Sequence, residues 1–188
     1  RGYFQTCLEA LHGPEKKNAG FAMDKIFKMF RGTDVLDSTG LEQAAGGRPP
    51  VKRGEGLTGA DRFTDGSNVM GSSRGAVVYR RSFLEDVAVF GEIFDETFQD
   101  VMEDVDLSWR AHLQGWEGVY VPQAHAVYDV KDEGPGPTLP DALRWEYGKQ
   151  AAVYKNAPGS NLILGLPRIL LARERGRFFS LSAYLPPL

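Results

Sequence analysis

The stretch from residue 42 to residue 68 restricts the fold of this 188-residue chain more than any other part of it. Helices and strands tolerate few glycines and prolines, so this stretch is predicted to be a long surface loop. The residues concerned are Gly46, Gly47, Pro49, Pro50, Gly54, Gly56, Gly59 and Gly66. Loops of this length within compact domains are usually functional or disordered. Regular structure is therefore expected before and after it.

Length and composition indicate one soluble, globular domain. Hydrophobic residues make up 42 % of the chain and charged residues 25 %, which is typical of that class. A net charge of -3 argues against a dedicated nucleic-acid-binding protein, which usually has a strongly basic surface. Cys7 is the single cysteine, so neither an internal disulfide nor a cysteine pair for zinc can form. A reducing compartment, the cytoplasm, is expected.

Two kinds of targeting segment are missing from the sequence. No stretch reaches the ~20 apolar residues of a membrane span, and the nearest, residues 162–172, is broken by Pro167 and Arg168. The chain opens without the apolar segment of a secretory signal and without a methionine. We interpret Arg1 as a cut inside a larger protein.

The patterns on either side of the loop predict short elements. A strand is expected at residues 26–30 and an extended segment at residues 34–40. The run AVVY at residues 76–79 predicts a buried strand. Ser82 and Glu85 have the spacing of a capping box, which predicts a short helix directly afterwards.

The second half of the chain gives longer patterns. A helix is predicted from residue 105 to residue 114, closed by Gly115. Two strands, at residues 118–121 and 124–130, are expected to follow, separated by a turn. A last helix is predicted over residues 141–155. Its apolar stripe consists of Leu143, Tyr147, Ala151 and Tyr154.

A dense acidic cluster precedes the first of these long helices. Its members are Glu92, Asp95, Glu96, Asp100, Glu103, Asp104 and Asp106. A solvated helix face is the simpler interpretation of such charge. Glu103 and Asp104 differ from the rest because they directly precede the apolar pattern, so one of them is predicted to cap the helix. The helix amides would keep that carboxylate ionised and fixed, as a general base also requires, and the sequence leaves both roles open.

Four segments in this order resemble glycosyltransferase family 2. They are GSSRGAVVYRRSFLEDV (71–87), FDETF (94–98), EDVDLSWRAHLQGW (103–116) and VYVPQAHAVY (119–128). Within that family, the chain is most similar to the rhamnosyltransferase-like branch of the inverting GT-A enzymes. The resemblance covers roughly residues 1–160, with weaker support from DSTGL (37–41) and KRGEG (52–56).

The resemblance implies a fold and a division of the chain. The fold implied is α/β, part of a GT-A fold in which helices flank a mixed sheet. Residues 1–162 would form the acceptor-side, catalytic part, and residues 163–188 a basic, apolar tail. The tail carries four arginines against one glutamate. It is predicted either to lie on an anionic membrane surface, at the inner face of the cell membrane, or to pack on the domain itself.

The resemblance also implies a reaction. Enzymes of this family transfer a sugar from a nucleotide diphosphate donor to an acceptor hydroxyl with inversion, and rhamnose is one candidate sugar here. A glycan or a lipid-linked saccharide is the expected acceptor. Asp104 occupies the position of the general base, Glu103 would shape the site, and Asp106 would orient neighbouring groups.

Further site residues follow from the same resemblance. Gly71, Ser72 and Ser73 match a small-residue segment that lets substrate approach the backbone, although a simple tight turn would look the same. Trp109 and Arg110 are candidates for lining the acceptor side or reaching the diphosphate. For Trp109, a place in the core is an equal alternative.

The donor side of the family pattern is incomplete. Family members hold a divalent metal and the diphosphate with an Asp-x-Asp motif, which would lie upstream of Arg1. Asp129 is a candidate oxygen ligand for Mg²⁺ or Mn²⁺. The isolated chain is therefore expected to bind nucleotide poorly and to be inactive by itself.

Two other classes of function remain open. In the first, the chain is a non-catalytic module that binds a glycan or a protein, and the Glu-Asp pair only caps a helix. In the second, it is a small hydrolase with paired carboxylates. We rank the hydrolase last, because the adjacent Glu103 and Asp104 are poorly placed to flank one bond.

Overall fold

The computed structural model describes residues 2–12, 16–30, 33–45, 48–58, 62–73, 75–98, 101–129 and 138–157. They confirm the predicted α/β class, with a mixed sheet flanked by helices. The predictions for the tail, residues 163–188, lie outside the described residues. The elements in chain order are α1 (Tyr3–Leu11), β1 (Ala19–Phe30), β2 (Thr33–Ser38), β3 (Leu41–Glu42), β4 (Val51–Lys52), β5 (Asn68–Val69), β6 (Val77–Tyr79), α2 (Arg81–Val87), a 3-10 turn (Glu96–Phe98), α3 (Glu103–Leu113), β7 (Glu117–Asp129) and α4 (Leu139–Asn156).

The main sheet is built around the long strand β1. Strand order is β2-β1-β7-β5, and β6 also pairs with β1. The β1–β7 pair is parallel and the other pairs are antiparallel. β3 and β4 form a separate two-stranded ribbon within the predicted loop. The strand predicted at residues 26–30 is thus the end of a longer one, since Asp24 and Lys25 interrupt its apolar pattern.

The two strands predicted in the second half are one strand, β7. The β1–β7 register passes from Met23↔Tyr120 to Lys25↔His125, so β7 advances by more residues than β1 does. Pro122 lies in this irregular part and has no N–H to donate to a ladder. The strand bulges there and continues, which the sequence pattern did not distinguish from a turn.

Helix α3 is buried on two sides. Leu107 and Ala111 pack on the sheet, in a cluster with Phe21, Met23, Ile26, Val69, Phe83, Val87 and Tyr120. Val105 and Trp109 pack towards α4, in a cluster with Leu41, Phe98, Val101, Met102, Ala152, Val153 and Ala157. Helix α1 covers the opposite face of the sheet, where Cys7 and Leu11 meet Ala19, Ala22, Val119, Val121 and Ala124. The start of α3 is therefore fixed from both sides.

Two predictions about helix caps are wrong. The cap of α2 is Arg80, with no side-chain hydrogen bond, and Glu85 pairs with Arg81 at 2.7 Å instead of closing a capping box. The cap of α3 is Met102, whose φ of 68° is left-handed. Glu103 and Asp104 therefore lie inside the first turn of α3. The predicted closure at Gly115 is confirmed by its φ of +85°.

The predicted apolar stripe of α4 is also wrong. Tyr147 and Tyr154 are 70 % and 78 % exposed. The buried face consists of Gly148, Ala152, Val153 and Asn156. Small residues let α4 pack closely on the segment that precedes α3, since a Cβ on Gly148 would lie 3.0 Å from Cγ1 of Val101. Packing distance, which hydrophobic periodicity does not report, selects the buried face.

Candidate functional site

The segment 71–73 is locked against α3. The Ser72 amide donates to Oγ of Ser108 at 3.1 Å, and that hydroxyl donates back to the Ser72 carbonyl at 3.2 Å. A Cβ on Gly71 would lie 2.2 Å from the Cβ of Ser108, so no larger residue fits without displacing the helix. Gly71 is therefore required for the close approach of two backbones. This contact fixes the predicted small-residue segment relative to the start of α3.

Tyr79 joins β6 to the same place. Its hydroxyl lies 2.9 Å from Oγ of Ser72, and its ring stacks on Phe83 at 5.9 Å between centroids. Burial is the largest cause that raises the pKa of the Tyr79 phenol, and the negative charges of Asp104 and Glu103 raise it further. The structure thus joins Ser72 to Tyr79 directly, and Asp104 and Glu103 lie within electrostatic range of the Tyr79 phenol.

Asp104 is held in a defined direction at the start of α3. One carboxylate oxygen accepts the Val105 amide at 2.8 Å. The side chain is only partly buried, as is that of Glu103. Exposed amides at a helix start stabilise an ionised carboxylate. The residue therefore combines charge, fixed orientation and contact with solvent, as both a helix-terminus residue and a general base need.

Ser73 adds a buried hydroxyl to the segment. Both Ser72 and Ser73 are about 1 % exposed. Oγ of Ser73 has no hydrogen-bond partner among the residues that the structure describes. Most buried hydroxyls are paired, so an unsatisfied one beside a candidate site is a plausible contact for a substrate polar group.

Trp109 and Arg110 are both buried in the protein interior. Trp109 lies in the cluster between α3 and α4, which is the core place considered for it above. Arg110 donates to Asp106 at 2.9 Å, to the Val87 carbonyl, and to the Ile93 carbonyl at 2.7 Å. Each of these contacts is within the chain, and substrate contacts by either residue stay predictions.

Asp106 is the centre of a buried ionic network that ties α4 to α3. Its side chain has no exposed surface, and it accepts from Arg110, from Lys155 at 3.0 Å and from Asn156 at 2.8 Å. Lys155 also donates to Asp95 at 2.8 Å. The network ties α4 to the first turn of α3, which also carries Asp104, and the orienting role of Asp106 in a reaction stays a prediction.

Asp95 is the second carboxylate that pairs with Lys155 in this network. The hydrogen bond from Lys155, followed by that from Thr97, lowers the pKa of the Asp95 carboxyl to about 2. Asp95 is therefore a stable anion at neutral pH, and it holds the Lys155 ammonium beside Asp106.

The two shorter segments of the resemblance also meet in space. Lys52, from KRGEG, donates to Asp37, from DSTGL, at 2.9 Å. Arg53 donates from Nε to the Thr39 hydroxyl at 2.8 Å. These bonds anchor part of the long loop to the end of β2 and explain why both segments are polar.

The predicted metal ligand Asp129 cannot be placed by its side chain. Asp129 is the last residue of β7, and its side chain lies outside the described part of the chain. Among the described residues, no group of three or more histidine, cysteine, aspartate or glutamate side chains is placed to hold an ion. A role for Asp129 as a ligand of Mg²⁺ or Mn²⁺ stays a prediction.

Some residues of the site were not predicted from the sequence. Tyr79 lies inside the motif at 71–87, so its position in that motif was an available signal. Lys155, Asn156 and Asp95 were missed because the residues they join are far apart in the chain, and no local pattern links them.

Comparisons with known protein families and with curated proteins give no match that bears on the resemblance. No model of a known protein family and no curated protein matches the chain. Within the described ranges, no helix has both the length and the apolar character needed to cross a membrane.

Proposed function

We propose that this chain carries the general-base side of an inverting glycosyl transfer, with Asp104 as the base. The observation on which this depends is the placing of Asp104. It is partly exposed, oriented by its bond to the Val105 amide, and close enough to the Tyr79 phenol for its charge to affect that group. This placing supports Asp104 as a charged, oriented proton acceptor within electrostatic range of the Tyr79 hydroxyl.

In the proposed reaction, Asp104 accepts the proton of the acceptor hydroxyl. The acceptor oxygen forms a bond to the anomeric carbon of the donor sugar from the opposite side to the leaving group. The bond between that carbon and the diphosphate oxygen breaks, and its electron pair leaves with the nucleoside diphosphate. Configuration at the anomeric carbon is thereby inverted, and the sugar is bound to the acceptor.

The other site residues would bind and orient. Ser72 and Tyr79 form a hydroxyl pair whose position is fixed by Ser108, and Ser73 offers a further hydroxyl. These groups suit the hydroxyls of a saccharide acceptor. We propose a nucleotide diphosphate sugar as donor, with rhamnose as a candidate, and a glycan or lipid-linked acceptor. We propose a cytoplasmic location, with the basic tail as the candidate contact with the inner face of the membrane.

A non-catalytic binding module is the second candidate, and one observation favours it. The bond from the Val105 amide to Asp104 is a local contact at a helix terminus, and such a contact stabilises a helix without any reaction. In that case the hydroxyls of Ser72, Ser73 and Tyr79 would bind a glycan that is not altered.

The test is a search for transfer with its stereochemistry. The whole gene product that contains these residues is incubated with single nucleotide diphosphate sugars, dTDP-rhamnose among them, and with glycan and lipid extracts as acceptors. The proposal predicts release of nucleoside diphosphate that depends on the acceptor, and a product with inverted anomeric configuration by NMR. A product with retained configuration contradicts it. Saturable glycan binding without any release supports the binding module.

A further inference from the structure

Asp24 is a buried carboxyl group in the middle of the sheet. It lies on β1, next to the place where the β1–β7 register shifts, and has no exposed surface. Neither carboxyl oxygen has a hydrogen-bond partner in another described residue. Such a group is unusual, because buried carboxylates are normally paired with a cation or with several donors.

The surroundings of Asp24 do not stabilise a negative charge. The ionisable groups that interact with it are Tyr3 and Cys7 on α1 and Tyr120 on β7, and each of these is neutral or negative. The neighbouring Lys25 is directed elsewhere, since its ammonium donates to the Arg62 carbonyl at 2.7 Å. No described lysine, arginine or histidine forms an ion pair with Asp24. The site therefore favours the neutral acid.

Burial has the expected effect on this group. It is the main cause that raises the pKa of the Asp24 carboxyl to about 7, and the only opposing contribution comes from the residue's own backbone amide. In solvent the same group would titrate near pH ~4. Between these two values, the covered state binds a proton that an uncovered state would lose.

Helix α1 is the short element that covers this face of the sheet. It has nine residues and no side-chain cap at its first turn. Helices this short are marginal by themselves, so packing of Cys7 and Leu11 on the sheet must hold it in place. Release of α1 would give the Asp24 carboxylate access to water at the cost of that packing.

We propose that Asp24 is a proton-dependent lock on α1, closed when the carboxyl group is neutral and weakened when it is ionised. The opening of α1 then becomes more frequent as pH rises from ~4 to ~7 and changes little above that. Opening also affects β6, because the Tyr3 hydroxyl donates to the carbonyl of Ala76, which directly precedes that strand. The lock does not depend on the proposed transferase function.

Cys7 allows a direct test. It is the only cysteine of the chain, and it is fully buried on the side of α1 that packs on the sheet. The 188-residue chain is labelled with 4,4′-dithiodipyridine, which reacts with thiols at acidic pH, in wild type and Asp24→Asn. Dividing each rate by that of a small thiol at the same pH gives an opening constant. We expect this constant to rise roughly 50-fold from pH 5 to pH 7 in wild type, to level off above pH 8, and to stay flat in Asp24→Asn.

Equal pH dependence in the two proteins overturns the proposal. Amide hydrogen exchange of the wild-type protein, measured as a function of pH, is a second test. It applies even if Asp24→Asn does not fold. Opening free energies that fall with pH in α1 but not in β7 support a lock on α1. A parallel fall in both elements means that Asp24 affects only global stability, and the lock is then rejected.

Discussion

The Lys155 ammonium on α4 lies 3.0 Å from the carboxylate of the fully buried Asp106 on α3, and this pair connects the last described helix to the candidate site. Asp106 is two residues from Asp104, in the same first turn. Helix α4 is therefore tied to the turn of α3 that carries the proposed base, Asp104.

Loss of this cation is expected to destabilise the fold. Lys155→Met leaves the Asp106 charge buried with fewer donors, and we expect a loss of about 2 kcal/mol in the free energy of unfolding, below the usual range for fully buried pairs because Lys155 is partly exposed. Urea denaturation measures it. Lys149→Met is the matched control, since its pair with Glu146 is exposed and should contribute less than ~0.5 kcal/mol. Equal losses in the two variants would contradict the network.

Asp95 gives a pH dependence of known sign. Its pKa in the folded state, about 2, lies below the usual value of ~3.9, so its contribution to stability is present above pH ~4 and is lost as pH falls towards 2. Denaturation of wild type and Asp95→Asn at pH 5, 4, 3 and 2 should show a difference that shrinks with acid. In Lys155→Met, NMR titration should show the Asp95 pKa returning towards its usual range. An unchanged pKa in that variant would be the opposite of what the hydrogen bond requires.

Gly71 should not tolerate a side chain. A Cβ there would lie 2.2 Å from Ser108, and we expect Gly71→Ala to lower the free energy of unfolding by about 3 kcal/mol. Gly66→Ala is the control, because its nearest contact is an ordinary 3.6 Å to the Tyr120 carbonyl. Thermal unfolding compares the two. If both alanines are tolerated equally, segment 71–73 is not locked against α3 as described.

Phe90 is expected to be replaceable with a gain in stability. It is fully exposed, with a left-handed φ of 53°, at the first position of a two-residue turn between Val89 and Glu92. Asparagine adopts this conformation more readily than phenylalanine. Phe90→Asn should therefore raise the free energy of unfolding by about 0.5–1 kcal/mol.

Phe4→Asn is the control for this gain. Phe4 is also largely exposed, but it lies in helix α1, where asparagine is a poorer helix former. Denaturation should show no increase for this variant. A similar gain in both would mean that removal of exposed apolar surface, rather than relief of backbone strain, is responsible.

The fold was predictable where a local pattern matched the final environment. The α/β class was implied by the family resemblance, whereas periodicity and turn residues predicted a strand at 76–79 and helices at 105–114 and 141–155, close to β6, α3 and α4. The strand is only partly buried, although a buried one was predicted. The continuity of β7 through Pro122 was not predicted, because a bulge and a turn have the same local signal. The buried face of α4 was missed because two of its four residues, Gly148 and Ala152, contribute little to a hydrophobic pattern.

The sequence predicted which residues belong to the candidate site but not which distant residues contact them. The motifs located Asp104, Glu103 and the segment 71–73 in sequence, and in the structure Ser72 contacts Tyr79 while the two carboxylates affect the pKa of its phenol. The prediction that Glu103 or Asp104 caps α3 was wrong because a carboxylate before an apolar pattern can lie either at the cap or in the first turn. The Lys155–Asp95 pair joins residues 60 positions apart. Asp24 is unusual because its buried carboxyl oxygens have no hydrogen-bond partner among the described residues. Neither feature leaves a trace in spacing or composition.

The central measurement is the transfer rate of Asp104→Asn in the gene product that contains this chain. Glu96→Gln, an exposed carboxylate elsewhere in the acidic cluster, is the control, and circular dichroism checks that each variant is folded. If Asp104 is the base, its replacement lowers the rate of transfer to the acceptor by about 10²–10⁴-fold, while Glu96→Gln stays close to wild type. A folded Asp104→Asn variant that transfers sugar at the wild-type rate would contradict the account.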